Sequence, residues 1–364
     1  MEKPIVEVHG LKKYFPIKSS FFKVTVGNVK AVDDVSFNIK AGTTLGVVGE
    51  SGCGKTTMGR TMLRLYPITD GEVLYRGLSL NKLTVAQLKK ALPAEKKSEA
   101  LTKEQLIAYF DENGIDINKL SNAALNKLRP DIQIIFQDPY SSLSPRLPIG
   151  EIIGEAVKEH KIVPKAELND YITEIMLACG LQEYHKDRYP HEFSGGQRQR
   201  ICIARALAMK PKVVVCDEPV SALDVSIQAQ IINLLKDLQK ERGLTYIFIS
   251  HDLSVVQHIS DEVAVMYLGS MVEKASKEKL FENPLHPYTQ ALLSAIPVPD
   301  PDVKMNRIVL DGDLPSPANP PKGCKFHTRC KQCTERCKNE APKFVEIEPG
   351  HFVACHLYDE QNNG

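Results

Sequence analysis

Short runs of apolar residues, almost without polar interruption, recur along the chain. They are Thr44-Leu45-Gly46-Val47-Val48, Ile132-Gln133-Ile134-Ile135-Phe136, Val213-Val214-Val215-Cys216 and Thr245-Tyr246-Ile247-Phe248-Ile249-Ser250. They lack the alternation of a half-exposed strand and so predict parallel strands covered on both faces. Ile5-Val6-Glu7-Val8 does alternate, and residues 31–39 and 70–75 read as further strands. Residues 262–267 and 271–273 read as a hairpin around Gly269. Helical spacing fills residues 57–63, 149–160, 165–181 and 198–209, with Pro211 ending the last. Alternating strands and helices predict an α/β fold built on a largely parallel sheet.

Between residues 83 and 120 the texture changes to amphipathic, charged segments, residues 86–92 and 103–110, separated at Pro93. A partial echo runs through this stretch. Leu80-Asn81-Lys82-Leu83-Thr84 returns as Ile117-Asn118-Lys119-Leu120-Ser121, and Leu88 and Lys90 align with Leu125 and Lys127. These residues predict an insertion of short surface helices, either a solvated elaboration or a docking face for a partner.

The strand at residues 44–48 feeds Gly49-Glu50-Ser51-Gly52-Cys53-Gly54-Lys55-Thr56-Thr57, which fits the phosphate-loop pattern G-x-x-x-x-G-K-[ST]. The glycines let the backbone approach a triphosphate, and successive N–H groups form an anion nest at a helix start. Lys55 supplies a charge for the outer phosphates, and the Thr56 hydroxyl suits Mg²⁺, which prefers oxygen. Tyr14 and Phe15 precede the loop, and either is placed to stack on a base or simply to pack in the core.

Further motifs fall at strand ends and helix starts. Gln137 ends one apolar run and opens the loop Asp138-Pro139-Tyr140-Ser141-Ser142-Leu143-Ser144-Pro145. Phe193-Ser194-Gly195-Gly196-Gln197 opens a long helix. Ser194 suits its N-cap, and the glycines expose N–H groups at the positive end of the helix dipole. Asp217 and Glu218 close the run at 213–216, at the carboxyl end where α/β sheets place their sites. Asp217 suits a Mg²⁺ shell, and Glu218 suits polarising a water for attack on the γ-phosphate. Ser221-Ala222-Leu223-Asp224 is a turn and helix start, and His251 follows the strand at 245–250. That histidine is either an ordinary loop residue or a contact to the γ-phosphate.

Composition narrows the classes. At 364 residues the chain has room for two domains, and 43% hydrophobic content supports a sizeable core. A formal net charge of +1 gives no reason to expect nucleic acid as the main partner. Met1-Glu2-Lys3-Pro4 lacks the form of a signal peptide, and no apolar run reaches the ~18 residues that span a bilayer. A soluble, cytosolic chain is expected, any membrane crossing being left to another subunit. Of the nine cysteines, Cys53, Cys179, Cys202 and Cys216 are scattered, while Cys324, Cys330, Cys333, Cys337 and Cys355 crowd the end. In a cytosolic protein such a cluster reads as metal or iron–sulfur ligation before disulfide. Cys324, Cys330, Cys337 and Cys355 are spaced C-x5-C-x6-C-x17-C, unlike a zinc ribbon, although Cys330 and Cys333 make one C-x2-C pair. Iron–sulfur, zinc and free structural thiols all remain open. Pro297-Val298-Pro299-Asp300-Pro301 and Pro315-Ser316-Pro317 read as linkers before this tail.

The assembled motifs resemble the ATP-binding cassette ATPases. They supply a phosphate loop, a glutamine loop at Gln137, and a signature L-S-G-G-Q with Phe193 in place of Leu. A Walker B strand ending in Asp217 and Glu218, a D-loop ending at Asp224 and a switch histidine at His251 complete the set. The glutamine loop, Asn283-Pro284-Leu285-His286-Pro287-Tyr288-Thr289-Gln290-Ala291-Leu292-Leu293 and the cysteine tail are similar to the oligopeptide, dipeptide and nickel importer ATPases. Within them the chain is most similar to the F-type subunit, which pairs with a D-type partner. Residues 83–120 lie outside that resemblance.

The resemblance implies a P-loop cassette over residues 1–270, with a parallel sheet core, an antiparallel β subdomain and a helical signature subdomain over about 138–195. A small Cys-rich extension over 271–364 would follow. It implies head-to-tail dimers in which Ser194, Gly195, Gly196, Gln197 and Asp224 serve the partner's ATP. Phe15, with Tyr14 as alternative, would stack on the base, and Gln137 would touch Mg²⁺ along with Thr56 and Asp217. Glu218 would be the catalytic base and His251 would steady the γ-phosphate. Cys324, Cys330, Cys337 and Cys355 would hold a [4Fe–4S] cluster, leaving Cys333 spare. The implied setting is the cytoplasmic face of a membrane, with a second ATPase subunit, two permease subunits and an extracellular substrate-binding protein. Nickel and oligosaccharide importers use similar ATPases. A soluble cassette ATPase acting on nucleic acid or ribosomes, or a non-enzymatic binding subunit, are the competing readings.

Overall fold

The computed structural model describes residues 3–19, 24–296 and 307–362. Met1, Glu2 and the proposed linker from Pro297 to Pro301 lie outside the described residues. The chain divides into two compact units. One comprises Met1–Glu7, Asn38–Thr43 and Val73–Ile249; the other comprises Val8–Phe37, Thr44–Glu72 and Ser250–Gly364.

In the first unit the apolar runs form parallel strands. Ile132–Ile135 pairs with Val213–Asp217, which pairs in turn with Thr245–Ile249, Asp217 standing opposite Ile249. Every residue of the latter two strands is buried, as their unbroken apolar pattern requires. Helices Ile149–Glu159 and Leu168–Ala178 pack against each other and against Gly195–Leu207. Tyr171 donates its hydroxyl to the Ala208 carbonyl at 2.8 Å and Tyr246 donates to that of Leu235 at 3.0 Å, so both rings are buried without stranding a polar group. The helix expected from Arg198 begins at Gly195 instead. A capping box at Ser194 sets the start, and glycine is tolerated in a first turn.

The echo in the sequence is an echo in structure. Leu80–Lys82 and Ile117–Lys119 are both 3₁₀ turns. Each is followed by a hydroxyl N-cap, Thr84 or Ser121, and a short helix, Val85–Ala91 or Asn122–Leu128. The first helix packs on the second 3₁₀ turn, and the second helix on the first. Leu80, Leu83, Leu88, Ile117, Leu120 and Leu125 are buried between them, and Lys103–Asn113 adds Leu106 and Phe110. The insertion therefore carries its own small core beneath an exposed, charged outer face.

In the second unit Thr44–Val48 runs parallel to Glu262–Tyr267, which forms the expected hairpin with Ser270–Ser276. Ser270–Ser276 also pairs with His351–Val353, and that strand with Val345–Glu348, so the end of the chain extends the sheet. The N-terminal strands, Val6–Lys18 and Thr25–Ile39, run well beyond the segments expected at 5–8 and 31–39. Their extra length mixes apolar residues such as Leu11, Phe15, Ile17 and Val26 with lysines and does not alternate regularly, which hides it from a search for apolar alternation. Glu273 is fully buried and locks the tail down. It accepts N–H groups from Leu285 at 2.7 Å and His286 at 2.9 Å, and meets His351 Nε2 at 2.8 Å. Phe326, also buried, sits among the rings of Tyr267, Tyr288 and His286.

Candidate functional site

The phosphate loop lies in the second unit. Gly54 takes φ +105° and caps helix Lys55–Met62 without a side chain, the form of a helix start suited to receive an anion. A Cβ on Gly54 would collide with the Ala31 carbonyl, so no other residue fits there without displacing that strand. Lys55 is buried and curls over the loop, donating to the Gly49 carbonyl at 2.7 Å and that of Glu50 at 3.1 Å. The loop is braced from behind. The Gly269 amide donates to the Cys53 carbonyl at 2.8 Å, and Cys53 itself is buried, which pushes its thiol up.

Tyr14 and Phe15 are both half-buried in this unit. Tyr14 donates its hydroxyl to Asp33, and burial together with that carboxylate drives the phenol far above its usual range. Phe15 meets Tyr66 edge-on with centroids 5.5 Å apart, and the Lys13 ammonium lies 4.7 Å from its ring centre. His251 belongs to this unit too, exposed just before helix Leu253–Ile259, which Asp252 caps by accepting from Ser254 and Val255.

The first unit gathers the remaining motif residues. Asp217 is fully buried at the end of its strand. Glu218 follows at φ +47°, a conformation that a non-glycine residue keeps only when its surroundings enforce it. The enforcement is visible: its amide donates to the Ile249 carbonyl at 3.0 Å, and its own carbonyl accepts the Ser221 hydroxyl at 3.1 Å. The Gln137 Nε2 donates to Glu218 Oε2 at 3.0 Å, so the structure brings together two of the residues singled out as catalytic. Asp138 accepts from the amides of Tyr140 and Ser141 and folds the glutamine loop back on itself.

Ser194 and Gln197 close a reciprocal capping box. A Cβ on Gly196 would come within 2.5 Å of Ile227, so the signature helix packs tightly against helix Val225–Arg242. Asp224 caps that helix, accepting from Ile227 N–H at 3.1 Å and the Ser226 hydroxyl at 2.7 Å. The Ser226 bond leads the effects that lower its carboxyl below the usual range. Tyr140 reaches the same region, with the Arg198 guanidinium 4.1 Å from its ring centre.

Three residues around the phosphate loop escaped the sequence reading. Tyr288 Oη accepts the Glu50 N–H at 2.9 Å, Arg329 pairs with the Glu50 carboxylate, and Lys325 pairs with Asp33 at 2.8 Å. Their partners lie more than 200 residues away in the chain, beyond the reach of spacing. The sole hint was an acidic residue inside a loop built for anions.

The cysteines of the tail are all free thiols. Cys324 donates its amide to the Cys337 carbonyl at 2.8 Å. Burial pushes the Cys324 thiol up to about 11 and that of Cys355 up to about 12, and the neighbouring Cys330 and Cys337 add to both. Cys324, Cys330 and Cys337 all act on Cys355, and Cys333 interacts with Cys330 and Cys337. Among the described residues no three His, Cys, Asp or Glu side chains converge closely enough to hold a metal ion.

Comparison with known proteins agrees with this architecture. The model of the ABC transporter family matches residues 32–221, and that of the oligopeptide/dipeptide transporter C-terminal region matches residues 272–337. The chain is 52% identical over 359 residues to the oligopeptide transport ATP-binding protein AppF of Bacillus subtilis, covering 98% of each. It is 45% identical over 363 residues to the dipeptide transport ATP-binding protein DppF of Escherichia coli, covering 100% of this chain and 97% of that one. Among solved structures, cbiO1 from Clostridium perfringens, part of an ABC transporter complex, matches with a TM-score of 0.56 and 26% identity over 78% of this chain and 92% of its own. A dimeric ATP-binding cassette in a post-hydrolysis state, bound to ADP and Pi, matches with a TM-score of 0.57 and 25% identity over 75% of this chain and 98% of its own. The chain belongs to the ABC transporter family, as one of its ATP-hydrolysing cassettes.

Proposed function

We propose that this chain is the ATPase subunit of a membrane importer for oligopeptides or dipeptides, bound at the cytoplasmic face to two permease subunits and fed by an extracellular binding protein. The observation that carries this reading is full-length identity to oligopeptide and dipeptide transport ATP-binding proteins, the C-terminal region included. The cassette would occupy residues 1–270 and the transporter-type extension 271–364. In this reading ATP lies over the phosphate loop, with its base against Phe15 or Tyr14 and its phosphates held by Lys55 and the loop amides. Thr56, Gln137 and Asp217 would hold Mg²⁺, which neutralises phosphate charge when bound. Glu218 would take the proton of the attacking water, and its bond to Gln137 supports that role because the same amide can sense the bound nucleotide. His251 would steady the γ-phosphate. Ser194, Gly195, Gly196, Gln197 and Asp224 would complete the ATP site of a second cassette, a related but distinct subunit.

Reconstitution of the complete transporter in proteoliposomes tests the reading. ATP-driven uptake of di- to pentapeptides is the expected result. Uptake of nickel or oligosaccharide alone, or a chain that stays off the membrane and binds RNA, would overturn it. The extension is further proposed to hold a [4Fe–4S] cluster on Cys324, Cys330, Cys337 and Cys355. What supports it is that the Cys324 amide bonds the Cys337 carbonyl at 2.8 Å, which draws those two segments of the tail together. About four irons and four sulfides per chain in anaerobically purified protein, lost in Cys330→Ser, are expected; one zinc without iron would refute the cluster.

A further inference from the structure

Glu50 is the one acidic side chain in the phosphate loop, a segment whose task is to accept a polyanion. An unpaired carboxylate there opposes every phosphate that enters. Arg329 removes that charge. Its Nη1 donates to Glu50 Oε2 at 2.7 Å and its Nη2 to Oε1 at 3.1 Å, a two-pronged pairing that lysine cannot reproduce. The Arg329 side chain is only 8% exposed and that of Glu50 is 29% exposed, so the pair is shielded from much of the solvent. The arginine is also held in place. It ends the 3₁₀ turn His327–Arg329, which follows the buried Phe326. Before that, the Lys325 ammonium is fixed by Asp33, the Leu268 carbonyl at 3.1 Å and the Ser270 hydroxyl at 2.7 Å. Tyr288 grips the Glu50 backbone at the same time.

We propose that Arg329 is a positioning residue for nucleotide binding: it keeps the Glu50 carboxylate paired while phosphates enter, so the C-terminal segment sets the ATP affinity of the phosphate loop in its own chain. This rests on the reading that the loop binds the triphosphate. The test is equilibrium binding of MgATP to the full-length chain. Arg329→Ala is expected to weaken binding about tenfold at low salt and by less at ~0.5 M salt, where a freed surface carboxylate is screened. The double variant Arg329→Ala/Glu50→Gln, with the repelling charge gone, is expected to recover most of the lost affinity. A loss caused by general loosening of the loop would show neither the salt dependence nor the recovery. Should Arg329→Ala not fold, Arg329→Lys carries the test, with a loss of about threefold that Glu50→Gln again reverses. Binding equal to wild type in both Arg329 variants, or a double variant no better than its Arg329 parent, would overturn the proposal. Lys55→Ala separates the two levels: if it binds MgATP like wild type, the reading of the loop falls as well; if it does not, only the role of Arg329 is in question.

Discussion

In the unit that carries Glu218 the signature helix, the helix after it and the bend after Gln137 are set by sequence neighbours, although Glu218 itself is met by Gln137 from 81 residues away. Ser194 and Gln197 cap their own helix, Asp224 caps the next, and Asp138 bends its own loop. The unit that carries the phosphate loop works differently. Glu50 and Asp33 are paired by Arg329 and Lys325, and the strands are tied together at Glu273, which meets a histidine 78 residues further on. Local capping makes a motif that forms wherever its few residues occur together. Long-range pairing makes a motif whose geometry depends on the whole unit being folded. The second arrangement lets a terminal segment act on nucleotide binding; the first does not.

The sharpest way to break this contrast is to remove Glu273. It is a buried acceptor for two amides and a histidine, so Glu273→Ala leaves three donors without a partner. A loss of about 3–5 kcal/mol is expected, read as a shift in denaturant midpoint. Because Tyr288 follows two residues after His286, MgATP affinity should fall in the same variant. Unchanged affinity would show that the loop does not depend on the tail. In the other unit, Glu218→Gln keeps shape and removes the proton acceptor. In the assembled transporter its hydrolysis rate should drop by about a hundredfold or more while MgATP still binds. Near-normal turnover would take Glu218 out of the base role.

The same contrast explains what the sequence shows and what it hides. Val213-Val214-Val215-Cys216 announces a buried parallel strand, and the residues that follow sit at its carboxyl end because parallel strands share that direction. Ser194 with Gln197 three positions on is a capping signature that can be read directly. The insertion betrays itself through its repeat, yet the reciprocal packing of the two halves is not visible, since repetition says nothing about which copy covers which. Arg329 could not be found. Its neighbours in sequence are His327, Thr328, Cys330 and Lys331, none of which marks an ion pair, and its partner is 279 residues away. The outer ends of Val6–Lys18 and Thr25–Ile39 were missed for a simpler reason, as Phe15-Pro16-Ile17 and Val26-Gly27-Asn28 do not alternate with a strand's period.

A pH experiment sharpens the long-range side. His286 is fully buried and accepts the Tyr288 N–H on Nδ1 at 3.0 Å, which requires a neutral ring nitrogen. Burial lowers its pKa to about 4. In the unfolded chain the ring takes up a proton near its ordinary 6.5, so between about pH 6.5 and 4 the unfolded state binds more protons. Stability should therefore fall as pH drops through that window, by up to about 3 kcal/mol. His286→Asn keeps an acceptor for Tyr288 and cannot titrate. Its stability should be flatter over the same range, and an unchanged slope would assign the acid sensitivity to other groups.

The smallest effect belongs to the local side. Thr102 opens helix Lys103–Asn113 with a capping box, its hydroxyl accepting from Gln105 N–H at 3.3 Å and its amide donating to Gln105 Oε1 at 2.9 Å. Thr102→Ala removes one of the two bonds, at an exposed end where water takes over part of the role. A loss of about 1 kcal/mol is expected, measured by denaturant unfolding. MgATP binding should not change, because the bonds of this cap are made within its own helix end. If the variant did lower MgATP affinity, local capping would not insulate a motif, and the distinction between the two units would fail at its weakest point.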